Sequence, residues 1–362
     1  MTVPNSASKL GRLLEQNRFE GYLGKGSFDY FDHFCRLDEY LNSEVHPQVA
    51  TGVAIKDNIW LNDHGAGHIS TVIRRAGDLV FKPDDTCSLT GYEAFLLLTA
   101  IHLHDVGNFG GREEHEQRIK AVMNTLAERG LLSDETLERR MIHDIARVHG
   151  GQIGGNRDTI SQLAYDRSTQ PPRIFLLASL LRFADELADD CTRTSRFFQS
   201  VDTGLYEGSE VFHKYSDRLR RVIVKPDNAT IRLEFELEPD VVTRKYRKLG
   251  SEVFLFDEIL DRSLKLHKEH IYCSRFWTPW VHFDVVQVSI SVFTDDYMTQ
   301  GWAKTFEMRQ QGYPRAPADI REIVPALKNL SGASLQDRFR SKVVGARKRG
   351  RKDRHRGRQK RG

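Results

Sequence analysis

Residues 90–107 read TGYEAFLLLTAIHLHDVG, and this stretch decides the architecture. Thr90 and Glu93 stand three residues apart ahead of an apolar run, the spacing of a capping box that opens a helix. The run is apolar nearly all round, so the helix belongs at the centre of an all-α body. Gly107 then breaks it and leaves His104-Asp105 at an open helix end. A second stretch, RIFLLASLLRFADEL at 173–187, has the same character and ends in Asp185. It follows Pro171-Pro172, which suit a first helical turn because their missing N–H costs little there.

Outward from these two helices, apolar residues recur at three- and four-residue spacing between about 9 and 190. The sets are Leu10/Leu13/Leu14, Phe28/Phe31/Phe34, Ile69/Val72/Ile73, Ile119/Val122/Met123/Leu126 and Ile142/Ile145/Ala146. Beyond residue 200 the period changes. Residues 221–225 and 230–236 alternate around Pro226-Asp227-Asn228-Ala229, a hairpin pattern, and 282–293 alternate as a third strand. Residues 253–266 read as a helix that would cover such a small sheet.

The expected fold is therefore mainly α with a small C-terminal α+β appendage and a disordered basic tail. The expected divisions are 1–54 for N-terminal helices, 55–200 for the main helical domain and 201–300 for the appendage. A peripheral helical segment at 301–345 and the tail at 346–362 complete the chain.

The chain has 362 residues, 39% hydrophobic and 29% charged, enough for a packed core and too apolar for a wholly disordered chain. The longest apolar run, 94–103, is about half a bilayer span. The first ten residues show no signal pattern, so a cytoplasmic protein with no membrane contact is expected. Cys35, Cys87, Cys191 and Cys273 lie far apart and read as reduced thiols. The net charge of +4 conceals an asymmetry: 347–362 hold ten of the 54 basic and one of the 50 acidic residues, leaving −5 on the remainder. That tail has no aromatic residue, so it offers phosphate contacts without base stacking and should bind polyanions regardless of sequence. An acidic partner protein or simple solubility is the alternative.

The helical half carries metal-ligand residue types in order: Asp63-His64, His68, His104-Asp105, His115, His149 and Asp185. Imidazole and carboxylate together suit Mn, Fe, Mg or Zn when several converge from different helices. A buried ionised Asp185 is costly alone, and either a metal or a salt bridge with Arg182 or Arg193 would offset it. His64 reads as a substrate-facing acid, a ligand or a surface residue. His115 is either a ligand or a solvated histidine, and His149 a ligand or a helix C-terminal cap. Arg112 and Arg118 flank His115, and one of them could hold a phosphate. The glycine-rich 150–157 could bring Arg157 to a phosphate or be a plain loop. His102 and His143-Asp144 are assigned to structure.

The order of His68 with Val72 four residues on, His104-Asp105, and Asp185 within LLRFADEL resembles the HD-domain metal-dependent phosphohydrolases over roughly 55–195. The neighbouring text (DHGAGH, LHDVG, REEHEQR, RVHGG) is most similar to HD domains of bacterial conflict and defence systems, and more distantly to deoxynucleotide triphosphohydrolases. The resemblance implies an HD-type helical domain in which His68, His104, Asp105 and Asp185 ligate one divalent ion. It implies His115 and His149 as ligands of a second, with Asp105 bridging, and Mn, Fe, Mg or Ni as the metal. Asp105, His64, Arg112 and Arg118 would take part in hydrolysis of a nucleotide or nucleic-acid phosphoester or phosphoanhydride by activated hydroxide. Where cyclic-dinucleotide members carry Lys three residues after the Asp, this chain has Asn108, and its Gly312-Tyr313-Pro314 stands far from their usual place. A non-catalytic HD-fold regulatory or scaffold protein that binds nucleotide or nucleic acid is the alternative. A homo-oligomer or a protein partner is compatible with either.

Overall fold

The computed structural model describes residues 4–49, 65–110, 115–150, 152–153, 155–167, 170–193, 208–294, 300–310 and 319–340. At 109–110, 115–117, 193 and 300 only the backbone is described. The tail expected at 346–362 lies outside these residues.

The helical half is built from α1 (Lys9–Gln16), α2 (Tyr30–Tyr40), α3 (Ala66–Val80), α4 (Gly91–Leu103), α5 (His115–Glu128), α6 (Thr136–Arg147) and α7 (Ile174–Glu186). A small hairpin, β1 (Glu20–Gly21) and β2 (Gly24–Lys25), joins α1 to α2. The capping box forms as expected: the Thr90 side chain accepts from Glu93 N, and the Glu93 carboxylate accepts from Thr90 N. Every residue of α4 is buried, and α1, α2, α3, α6 and α7 all pack on it. Gly91 is required where α4 starts, because a Cβ there would fall 2.4 Å from Asn17 Cβ.

Helix α7 begins at Ile174 with Arg173 as its N-cap, so Pro171-Pro172 precede the helix and do not form its first turn. A tertiary contact decides this start: Arg173 N and Nε both donate to Glu93 Oε1 at 2.8 Å.

The C-terminal half contains α8 (Glu210–Arg218), β3 (Leu219–Lys225), β4 (Thr230–Leu237), α9 (Pro239–Thr243), β5 (Lys245–Lys248), β6 (Ser251–Phe254), α10 (Leu255–Ser274), β7 (Val285–Phe293), β8 (Gln300–Arg309) and α11 (Ile320–Ile323). Its main sheet has the order β3-β4-β7-β8. The expected hairpin is β3–β4, with Val222 opposite Leu233. Strand β7 then pairs parallel to β4, with Leu233 beside Val288, and antiparallel to β8.

Strand β8 corrects the helical expectation for 301–309. Phe306 and Met308 are buried opposite Val288 and Val286, while Thr305 and Glu307 point away. This period-2 alternation is partly hidden by Lys304 on the apolar side. Within 319–340 the expected helical character holds at α11 and at 332–340.

Tyr215 of α8 meets Phe235 of β4 at 5.3 Å, and Phe256 of α10 meets Trp302 of β8 at 6.0 Å. One continuous hydrophobic cluster runs from Leu10 to Phe339, so the sheet shares the core of the helical half. The fold is mainly α with this sheet built against it. None of the four cysteines forms a disulfide, and no described helix is long and apolar enough to cross a membrane.

Helix α10 carries two buried histidines, His267 and His270, each held down to about 4 by burial. They fold neutral, below the ordinary value of about 6.5 for an unfolded chain. Their contribution to stability is therefore complete above about pH 6.5 and lost as pH falls toward 4. Thermal melts should show Tm dropping between pH 7 and 5, and His267→Gln should flatten that drop. An unchanged slope in the variant would assign the acid sensitivity to other groups.

Candidate metal centre

Four helix ends converge at one point. His68 lies in the first turn of α3, and His104-Asp105 follow the last turn of α4. His149 stands two residues past α6, and Asp185 is in the last turn of α7. Helix ends suit this task because they leave backbone carbonyls without intrahelical partners, and side chains there can turn back onto them.

Two histidines do so. His104 Nδ1 lies 2.6 Å from Ile101 O, and His149 Nδ1 lies 2.6 Å from Ala146 O. A carbonyl only accepts, so both rings carry a proton on Nδ1, and in the neutral ring Nε2 is the atom that presents a lone pair. For His149 the cap contact is present, and the same ring turns Nε2 toward Asp105.

The presented atoms face two carboxylates. His68 Nε2 lies 3.1 Å from Asp185 Oδ1 and 3.9 Å from Asp105 Oδ2. His104 Nε2 lies 3.3 Å from Asp105 Oδ2 and 3.9 Å from Asp185 Oδ1. His149 Nε2 lies 3.6 Å from Asp105 Oδ1. His68, His104, Asp105 and His149 are all buried, and Asp185, with its side chain 28% exposed, is the edge that meets solvent.

The electrostatics reflect crowding of opposite charge. Burial opposes an imidazolium at His104, yet Asp105 and then Asp185 outweigh it and push the ring up to about 9. Burial likewise opposes a charged Asp185, but the His68 hydrogen bond and the His104 charge hold its carboxyl well below the usual range.

This donor set fits a divalent cation. Two ligands that each sit about 2.1 Å from an ion stand roughly 3 to 4.2 Å apart, which is the spacing found here. The donor atoms of His68, His104 and Asp105 lie within 4.8 Å of one another, as do those of His104, His149 and Asp185. His104 Nε2 is buried without a hydrogen bond of good geometry, an atom that a metal would satisfy.

The HD-CE family model matches residues 60–263, more than half of the sequence. The chain belongs to the HD-CE family. HD domains bind divalent metals and are generally hydrolases. In this HD-CE chain the match runs past the expected limit near 195, through β3 and β4 and into α10. No curated protein and no solved structure matches the chain.

Some expected site residues are not described, and others make different contacts. His64 and Arg112 lie outside the described residues, as does the side chain of His115, whose backbone opens α5. Arg118 Nε donates to Gly107 O at 3.0 Å, so part of this guanidinium braces the loop after Asp105. Arg157 is exposed, and Gly151 and Gly154 of its loop lie outside the described residues. Arg182 pairs with Glu269 of α10 at 2.7 Å, not with Asp185, and the Arg193 side chain is not described. His102 is structural, as expected: its Nε2 meets Asp38 at 3.0 Å and its Nδ1 meets His46 at 3.1 Å. Asp144 of His143-Asp144 is tied to Arg147 and Tyr165.

The sequence did not disclose the groups that support the ligands. Asn108 Nδ2 donates to Asp105 Oδ1 at 2.7 Å and so orients the carboxylate. Arg182, one turn before Asp185, donates to Gly150 O at 3.1 Å and to Thr159 Oγ1 at 2.8 Å. Thr159 in turn donates to Val148 O, next to His149. Asp189 is held by Ser216 and Arg262. The one available signal was the place of Asn108, three residues after the Asp of the pair.

Proposed function

We propose that this HD-CE protein is a metal-dependent phosphohydrolase that cleaves a phosphoester or phosphoanhydride of a nucleotide or nucleic acid. The observation that carries the reading is the convergence of His68, His104, Asp105, His149 and Asp185 from four helices. A divalent ion in that cluster supplies Lewis acidity toward a phosphoryl oxygen and makes a bound water acidic near neutral pH.

The protein's own groups prepare the place. Ile101 O and Ala146 O fix the ring orientation of His104 and His149, and Asn108 fixes Asp105. These partners remove the need to reorganise ligands when charge develops at phosphorus. Asp185 opens the cluster to solvent, so the substrate phosphate enters on its side. The basic 347–362 fits a polyanionic substrate or partner. The motif text extends the proposal to a role in cellular defence.

The deciding experiment is elemental analysis of the purified protein followed by a phosphate-release screen over nucleotides and oligonucleotides. One or two equivalents of a transition metal with phosphate release is the expected result. A metal-free, inactive protein would leave the scaffold reading instead. For the tail, affinity for RNA or DNA should fall steeply between two salt concentrations and vanish on deleting 347–362. Unchanged affinity in the truncated protein would move binding onto the helical body.

A further inference from the structure

The metal centre occupies one end of α4, and a separate cavity occupies the other. Tyr92 in the first turn and His104 after the last are roughly 18 Å apart along the helix rise. The β1–β2 hairpin folds over this far end, held by Glu20 Oε2, which accepts from Gly91 N at 2.7 Å. Beneath it lies a cavity of about 380 Å³, within the range of small-ligand sites.

Its rim is unusual for a solvated surface. Among the described residues six large hydrophobics are exposed, and five of them ring this cavity: Phe19, Tyr22, Leu23, Phe28 and Leu137. Such residues scattered singly need no explanation, but five around one concavity mark a binding surface. Leu23 is 95% exposed at the hairpin tip, where folding alone gives no reason for an apolar side chain.

The floor is polar at one point. Tyr30 and Tyr92 meet edge to face at 5.3 Å, and Tyr92 donates to Glu138 Oε2 at 2.9 Å. Glu138 is only 4% exposed and lines the cavity, with its Oε1 buried and the Tyr30 and Ser133 hydroxyls near the carboxylate. Burial pushes this carboxyl up, although the hydroxyls of Tyr92, Ser133 and Tyr30 favour its charged form. Glu135 and Lys25 also line the site, so the lining carries one net negative charge.

An acceptor of this kind beneath aromatic faces recognises an organic ammonium, through a charge-assisted hydrogen bond and cation–π attraction. We propose that this cavity binds a small organic cation, a primary amine on an aromatic or aliphatic body, with Glu138 accepting from the ammonium. The hydrophobic body lies against Tyr22, Phe28 and Leu137. The site shares no residue with the metal centre and stands whether or not the chain hydrolyses phosphoesters.

Calorimetric titration of the full-length protein with 2-phenylethylamine, and with its neutral isostere 2-phenylethanol, tests this. The amine should bind at least about tenfold more tightly, a difference of about 1.4 kcal/mol. Glu138→Gln should abolish that preference. Tyr22→Ala, at a half-exposed position where folding is not at stake, should weaken both compounds. Absence of saturable binding by the amine, equal binding of the two, or an amine affinity untouched by Tyr22→Ala would each overturn the proposal. The last comparison holds even if Glu138→Gln fails to fold.

Discussion

Asp105→Ala is expected to lose bound metal and phosphate release together. The Asp105 carboxylate lies within 4 Å of three imidazoles, with Oδ2 toward His68 and His104 and Oδ1 toward His149. Removing it deletes a carboxylate that reaches His68, His104 and His149. It also leaves Asn108 Nδ2 without its acceptor. Substitutions of groups that merely orient a ligand typically cost about 10- to 100-fold in metal affinity or activity. Asn108→Ala should fall in that range, and Asp105→Ala beyond it. The fold should survive, because removing Asp105 takes away the largest charge that favours an imidazolium at buried His104. Circular dichroism with elemental analysis and phosphate release on the same sample checks this. Full metal content with near-normal turnover would place the chemistry elsewhere, with His143-Asp144 the next pair to test.

Glu93→Ala should be the most damaging single change to stability. Glu93 is fully buried and serves two partners at once. It caps α4 through Thr90 N at 3.1 Å, and it is the counter-charge for Arg173, which is also buried. Arg173 further donates to Ser88 O and lies over Trp280 at 4.7 Å, so its guanidinium has no route to solvent. Breaking such a pair leaves one charge buried without compensation, a loss of about 3–5 kcal/mol. For a chain of this size the fall in Tm is about 4–7 °C. The double variant Glu93→Leu/Arg173→Met should recover much of it, because the cost lies in the orphaned charge more than in the lost attraction. A single variant melting within about 2 °C of the parent would refute this account.

The ligand residues were legible because their chemistry is rare and their order along the chain is specific. His104-Asp105 could be placed at an open helix end because the capping box, the apolar run and Gly107 are all local signals. Asp185 followed in the same way from its apolar helix. The dual role of His149 was not legible, since a cap and a ligand ask for the same residue at the same position. Only the distance to Asp105 shows that the capping ring also stands in the cluster.

The sequence by itself determined the mainly helical architecture, the buried helix α4 and the largely buried α7, the β3–β4 hairpin and the set of candidate ligands. Each rests on a period or a cap that acts over a few residues. Tertiary structure decided the rest. It decided where α7 begins, through Arg173 and Glu93, and that Arg182 serves Glu269 and the Gly150 carbonyl in place of Asp185. It made 300–309 the edge strand β8, because Phe306 and Met308 find an apolar partner only once β7 is in place. These outcomes depend on contacts between residues eighteen or more positions apart, where the free energy of burial and of charge pairing is set by the neighbour.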